Sequence, residues 1–308
     1  MTIKAIVCDM DGTLLTSENN ISSKTFHKLI ELQKKGVKLI LASGRSYIRL
    51  LPDALKLGMD KYNGILIDVN GTSIFHLKTR KRTRISVLDT ANIKEINDFF
   101  SLFNVELQYS QDDTIYTYLP ESIYNIKRNI RAEMRLPEDY PWTGGMYSWL
   151  CDTRDGYPNQ ILIRDLKDSP DFCNKISIVQ DPLYMGFVRQ TLMNNRFYQK
   201  YEFVFSDERK MEVTNKGISK GKALDIIMEK YGIRDDEIVV FGDSENDISM
   251  FNRKKYSIAM ANALPNAKQF ANYHTDSHNQ EGIFNMLVRL EKEGLFEENG
   301  FGYSPDSE

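Results

Sequence analysis

Short apolar runs rich in β-branched residues recur in the first quarter of the chain and again near its end, and each stops abruptly at polar residues. Ile6-Val7-Cys8 runs into Asp9-Met10-Asp11-Gly12-Thr13, and Val37 through Ala42 runs into Ser43-Gly44-Arg45. Gly64 through Val69 meets Asn70-Gly71, and Ile238-Val239-Val240-Phe241 meets Gly242-Asp243-Ser244-Glu245-Asn246-Asp247. Runs of this length bounded by turn residues predict buried strands. Between the first two, Phe26, Leu29, Ile30 and Leu32 have helical spacing, with Ser22-Ser23 to cap the start and Lys34-Lys35-Gly36 to end it. A further helix is predicted over 47–57. Strand, helix and strand joined by short links imply parallel neighbours with a right-handed crossover. The strand ends then share one edge, which is where open α/β sheets bind ligands.

The pattern changes in the middle. Val105, Leu107 and Tyr109, then Ile115, Tyr116 and Tyr118, read as two strands around a Gln111-Asp112-Asp113 turn, and Lys175-Ile176-Ser177-Ile178-Val179 as another. Helical spacing over 89–103, 120–134 and 182–194 surrounds them. This mixture predicts an α+β layer inserted into a parallel-sheet domain, so the expected division is 1–84 and 212–308 for the core and 85–211 for the insertion. The stretch 137–170, with several Pro, Gly and aromatic residues, gives no clear periodicity. The α/β pattern resumes with Ile218-Ser219-Lys220-Gly221 opening a helix, a short strand over 256–260, and closing helices over 263–272 and 282–293. The tail after Phe296 is expected to be loose.

Composition narrows the function classes. The chain has 308 residues, 41% hydrophobic and 27% charged, with a net charge of −3, which suits a globular protein of two domains without the basic excess that nucleic acid requires. The densest basic cluster, Lys78 to Arg84, reads as a charged hairpin edge. Three cysteines, Cys8, Cys151 and Cys173, lack metal-like spacing and fit a reducing compartment. No signal-like start and no long apolar window is present, so a cytoplasmic protein without a membrane partner is expected.

The chemistry lies in the polar strand ends. Residues i and i+2 of a strand point the same way, which places Asp9 and Asp11 side by side where the strand ends. Neighbouring buried anions call for a cation or a shared proton, most simply Mg²⁺ with its preference for oxygen ligands. A pair of solvated acids in an ordinary turn satisfies the bare spacing equally. Ser43 could likewise cap a helix, Lys220 could be a solvated helix-start lysine, and Asp243 and Asp247 could complement a helix dipole. What these separate readings leave unexplained is that all the loops fall on one predicted sheet edge. Acids, a hydroxyl, backbone N–H groups and an ammonium gathered there suit a phosphate monoester. One carboxylate can attack phosphorus while its neighbour moves the proton. Asn70-Gly71 reads as a turn, Arg45 as either helix surface or phosphate contact, and Tyr109, Tyr116, Tyr118 and Trp142 as sheet core.

Four motifs in order, Asp9-Met10-Asp11-Gly12-Thr13, Ala42-Ser43-Gly44-Arg45, Ile218-Ser219-Lys220-Gly221 and Gly242-Asp243-Ser244-Glu245-Asn246-Asp247, resemble those of haloacid dehalogenase superfamily hydrolases, of the Cof-like subgroup with an inserted α/β cap. The resemblance implies a Rossmann-like parallel sheet core with an α+β cap. It implies Asp9 as nucleophile and Asp11 as general acid/base, with Mg²⁺ on Asp9, the Asp11 backbone carbonyl and Asp243, and Asp247 behind them. Phosphate would be held by Ser43, the Met10 and Gly44 backbones, Lys220 and Asn246. The implied activity is a Mg²⁺-dependent phosphatase of sugar phosphates or similar small monoesters, forming an aspartyl-phosphate. The alternatives are a phosphomutase or phosphotransferase of the same fold, or a phosphometabolite sensor without turnover. The expected partner is the small substrate alone, and the chain is expected to be a monomer or weak homodimer.

Overall fold

The computed structural model describes residues 2–205 and 208–296, so the tail expected to be loose lies outside the described residues. The chain divides into two compact units, one built from the residues up to Ile85 together with those from Ser219 onward, the other from Ser86–Ile218.

The first unit opens with β1 (Ala5–Asp9), α1 (Ser23–Lys34), β2 (Lys38–Ala42), α2 (Tyr47–Lys56), β3 (Ile65–Asp68), β4 (Ser73–His76) and β5 (Lys81–Arg84). The second unit contributes β6 (Leu88–Asp89), α3 (Thr90–Phe100), β7 (Glu106–Ser110), β8 (Thr114–Tyr118), α4 (Glu121–Glu133), β9 (Asn159–Ile163), β10 (Phe172–Cys173), β11 (Lys175–Val179), α5 (Pro182–Met193), β12 (Tyr201–Phe205) and β13 (Lys210–Asn215). The chain then re-enters the first unit with α6 (Lys220–Tyr231), β14 (Ile238–Gly242), α7 (Ile248–Phe251), β15 (Tyr256–Ala259), α8 (Pro265–Phe270), β16 (Tyr273–His274) and α9 (Gly282–Lys292).

The first unit is one sheet in the order β16-β15-β14-β1-β2-β3-β4-β5. From β16 to β3 neighbours run parallel, and β4 and β5 turn back antiparallel. The period of two in the strands sorts their side chains onto two faces. Ile6, Cys8, Leu39, Leu41, Val239 and Phe241 meet Leu29 and Leu32 of α1, Leu50 and Ala54 of α2, and Ile283 and Leu287 of α9. Ala5, Val7, Ile40, Ile65, Ile67, Ile238 and Val240 meet Ala223, Leu224 and Ile227 of α6 and Met250 and Phe251 of α7. Both faces are covered, which is why these strands read as continuous apolar runs. Lys81–Arg84 of the basic cluster form the edge strand β5, whose exposed residues line an edge that no further strand among the described residues covers. No helix among the described residues is long and apolar enough to cross a membrane.

The second unit is built on a sheet ordered β12-β13-β11-β7-β8-β9. One face is apolar: Leu107, Tyr109, Ile176, Ile178, Met211 and Val213 pack with Ile93, Ile96 and Phe100 of α3 and with Met185, Val188 and Leu192 of α5. Asp89 starts α3 in a reciprocal capping box with Asn92. Glu106, Gln108, Ser110, Lys175, Ser177, Glu212 and Thr214, the alternate residues of these strands, are also buried. The segment without clear periodicity proves irregular until β9, which pairs parallel with β8. This unit extends to Ile218 rather than stopping at 211, because β13 pairs with both β11 and β12.

Candidate active site

Parallel pairing carries the ends of β1, β2 and β14 to the same edge: Asp9 lies beside Ala42, and Cys8 beside both Leu41 and Phe241. At that edge Asp9 is 5% exposed, and its Oδ1 accepts a hydrogen bond from Lys220 Nζ at 2.6 Å. Lys220 is the first residue of α6, placed there because Ser219 caps the helix by accepting from the Lys222 N–H. The same ammonium donates to Asp247 Oδ1 at 2.7 Å. The other oxygen of Asp247 accepts from the N–H groups of Asp243 and Ser244, each at 3.0 Å, so both of its oxygens are engaged. Thr13 Oγ1 donates to Asp243 Oδ1 at 2.8 Å, tying the first acidic loop to the last. Gly12 is required in this contact: its φ is +79°, and a Cβ there would lie 2.6 Å from Asp243 Oδ2.

Burial and crowding set the electrostatics. Burial, followed by the Asp247 carboxylate, raises the Asp9 pKa well above the usual carboxylate range, with Lys220 opposing. The same two causes, in the same order, push Asp243 up to about 6. Burial alone would depress Lys220, but the Asp247 and Asp9 carboxylates outweigh it and hold the ammonium above the usual lysine range. Asp9, Asp243 and Asp247 thus share one cation, and each offers an oxygen within 4.8 Å of the others. One ammonium cannot balance three carboxylates in their ionised form, and the donors are all hard oxygens. That set fits a divalent ion such as Mg²⁺.

Asp11 stands in the loop past the end of β1. Strand β1 ends at Asp9, so the rule that residues i and i+2 share a face does not reach Asp11. Its side chain is 57% exposed and is gripped by Arg45, with Nε donating to Oδ2 at 2.8 Å and Nη2 to Oδ1. Arg45 therefore takes part in the constellation through a carboxylate rather than standing on a helix surface. Ser43 caps no helix. Buried, it accepts from the Arg45 N–H at 3.1 Å, while Ser46 occupies the cap position of α2. Met10 is fully buried, and its carbonyl closes the loop by accepting from the Leu15 N–H at 2.9 Å. Asn246 donates from Nδ2 to Asn70 Oδ1 at 3.0 Å, and the Asn70 amide in turn sits against Gly44.

The structure thus gathers Asp9, Asp11, Ser43, Gly44, Lys220, Asp243, Asn246 and Asp247 within one unit. Sequence reasoning gave no role to Thr13, although a hydroxyl two residues after the second acid was a usable signal. It also left Asn70 as a turn residue.

A sequence profile described as haloacid dehalogenase-like hydrolase matches residues 6–287. The chain is 28% identical over 288 residues to the 5-amino-6-(5-phospho-D-ribitylamino)uracil phosphatase YcsE of Bacillus subtilis, covering 91% of this chain and 93% of that protein. A haloacid dehalogenase-like hydrolase from Bacteroides thetaiotaomicron has a similar fold, with a TM-score of 0.73, 24% identity, and coverage of 94% of this chain and 100% of that one. So does the subclass IIB sugar phosphatase BT4131, with a TM-score of 0.69, 21% identity, and coverage of 95% and 99%.

Proposed function

Because the chain belongs to the haloacid dehalogenase-like hydrolases and is a phosphoric monoester hydrolase, we propose that it is a Mg²⁺-dependent phosphatase of small phosphorylated metabolites that works through an aspartyl-phosphate. The observation that carries this reading is the excess of buried carboxylate around Asp9: a group that burial drives toward its neutral form must be kept ionised to attack, and Lys220 alone does not balance Asp9, Asp243 and Asp247. Asp9, Asp243 and the Asp11 carbonyl would hold the ion, with Asp247 fixing the Asp243 and Ser244 backbone behind them. When bound, Mg²⁺ neutralises carboxylate and phosphate charge so that the two anions can meet.

In the first step an Asp9 carboxylate oxygen attacks phosphorus as the bond to the leaving oxygen breaks, and Asp11 delivers a proton to the departing alkoxide. In the second, Asp11, now ionised, takes a proton from water as that water attacks the phosphorus of the aspartyl-phosphate. Inorganic phosphate leaves and Asp9 is restored. Lys220, the Ser43 hydroxyl, the Met10 and Gly44 N–H groups and the Asn246 amide hold the nonbridging oxygens as charge redistributes. The Asp11 carboxylate must leave the Arg45 fork, or share it, when it serves the leaving group. The names of two similar proteins, one acting on a phosphorylated ribitylaminouracil and one on sugar phosphates, support a small polyol or sugar phosphate as substrate class.

The test is phosphate release across a panel of phosphorylated metabolites by the wild-type protein and Asp9→Asn, each with Mg²⁺ and with chelator. Turnover is expected only in wild type with metal, with Asp9→Asn reduced by about 10⁴-fold or more. An undiminished Asp9→Asn enzyme would exclude the covalent route.

A further inference from the structure

We propose that Asn70, in the turn after β3, is a positioning residue that sets the Asn246 amide and the Gly44 backbone for the phosphoryl group; this rests on the phosphatase reading above. The argument begins with the backbone. Val69, Asn70 and Gly71 have φ values of +47°, +56° and +93° in succession. For Asn the left-handed region is accessible, for Gly it is free, but for a β-branched residue it is an outlier. Such a conformation persists only where its surroundings over-determine it, and it clusters at functional sites.

The surroundings here do over-determine it. Just before the turn, fully buried Asp68 accepts from Arg82 Nη2 at 2.7 Å, from the Tyr47 N–H at 3.2 Å and from the Ser73 hydroxyl. The Val69 N–H donates to the Arg45 carbonyl and the Asn70 N–H to the Ser43 carbonyl, both at 3.0 Å, which clamps the turn onto the loop after β2. Gly71 seats it on the start of α6: a Cβ at Gly71 would lie 2.1 Å from the Ser219 carbonyl oxygen and 3.0 Å from the Lys220 nitrogen.

The side chain completes the link. A Cβ on Gly44 would come within 3.1 Å of Asn70 Oδ1 and 3.4 Å of Nδ2, so the bare backbone of Gly44 is what admits the amide. Asn70 Oδ1 accepts from Asn246 Nδ2, while Asn246 Oδ1 accepts from Ser244 Oγ at 2.6 Å. The Asn246 amide is therefore held at both ends, which fixes the direction of its remaining N–H. One turn thus sets both the backbone of the loop after β2 and the orientation of a side chain presented from the loop after β14. If Asn70 were there only for its tolerance of positive φ, glycine would serve as well.

That difference is the test. Inorganic phosphate is the probe, read as inhibition of turnover and as calorimetric binding with Mg²⁺, for full-length wild type, Asn70→Gly, Asn246→Ala and the double variant. Asn70→Gly keeps the backbone conformation, so its unfolding midpoint stays close to wild type while phosphate binding weakens about 10-fold. Because Asn70 acts through Asn246, the double variant binds phosphate no more weakly than Asn246→Ala alone. Asn70→Ala shows the same loss of binding and, in addition, a lower unfolding midpoint. Wild-type phosphate binding in Asn70→Gly, or additive losses in the double variant, overturns the proposal while leaving the phosphatase reading intact. A wild-type protein that neither binds phosphate nor releases it from any monoester overturns both.

Discussion

Both units bury acids beside lysines, but in opposite proportions. In the second unit Glu106 meets Lys127, the Gly144 N–H at 2.7 Å and the Gln108 amide at 2.8 Å, and Glu212 meets Lys175 at 2.6 Å with Lys210 at 3.5 Å. Each acid there has its own cation. Burial would raise Glu212, yet Lys175 and Lys210 outweigh it and bring its pKa below the ordinary value. In the first unit Asp9 and Asp243 are raised, because burial is joined by a neighbouring carboxylate and one ammonium is shared among the acids. Asp9 and Glu212 are both buried yet shift in opposite directions, as expected for a member of a cluster short of positive charge and for an acid with lysines of its own. Only such a cluster has a reason to bind a cation.

The comparison can be broken most directly at its lysines. Lys220→Met removes the only cation touching Asp9 and Asp247 among the described contacts, and is expected to cost at least about 100-fold in phosphate release as well as folding stability. Lys127→Met strands Glu106 and should destabilise by about 3–5 kcal/mol in urea titration, but pairing it with Glu106→Gln should recover most of that. If Lys220→Met turned over at the wild-type rate, the two clusters would be equivalent and the distinction would fail.

Next in size is the response to metal. Mg²⁺ at about 100 times its dissociation constant should add about 2.7 kcal/mol to stability, read as a rise in unfolding temperature, and Asp243→Asn should abolish this gain. The sign with pH follows from the raised pKa. The folded state holds the Asp243 proton more tightly than the unfolded chain, so the associated stability is full below about 3.8 and is lost as pH rises through about 6. Without metal, wild type should therefore fall behind Asp243→Asn over that window, by at most about 3 kcal/mol, while its stabilisation by Mg²⁺ grows over the same window. Unfolding temperatures of both proteins from pH 4 to pH 7, with and without Mg²⁺, check this; parallel curves would count against it. The smallest effect is expected from Thr13→Val, which removes the hydroxyl on Asp243 Oδ1 and should weaken Mg²⁺ binding by about 10-fold in a titration of activity.

Much of this arrangement was legible in the sequence because it follows local rules. The apolar runs of β1, β2, β3 and β14 and the caps at Ser22 and Ser219 announce themselves within a few residues, and parallel strands must present their ends together. The direction of the Asp11 carboxylate was not legible because the strand stops two residues before it, at Asp9, and turn geometry rather than side-chain period decides where that carboxylate goes. The grip of Arg45 on it, and of Asn70 on Asn246, join residues 34 and 176 positions apart, a distance at which spacing carries no information. In the second unit the alternate strand residues Glu106, Lys175 and Glu212 are polar and buried, so periodicity located the strands but said nothing about which partners would satisfy them.

The Arg45–Asp11 pair differs from the Lys220 cluster in one further way: more than half of the Asp11 side chain meets solvent, whereas Lys220 and Asp247 are sealed. Dissolved ions screen charges only where they can approach, over roughly 10 Å at 0.1 M. Ionic strength is therefore a selective lever on this molecule, loosening the hold on Asp11 while leaving the anchoring of Asp9 by Lys220 untouched.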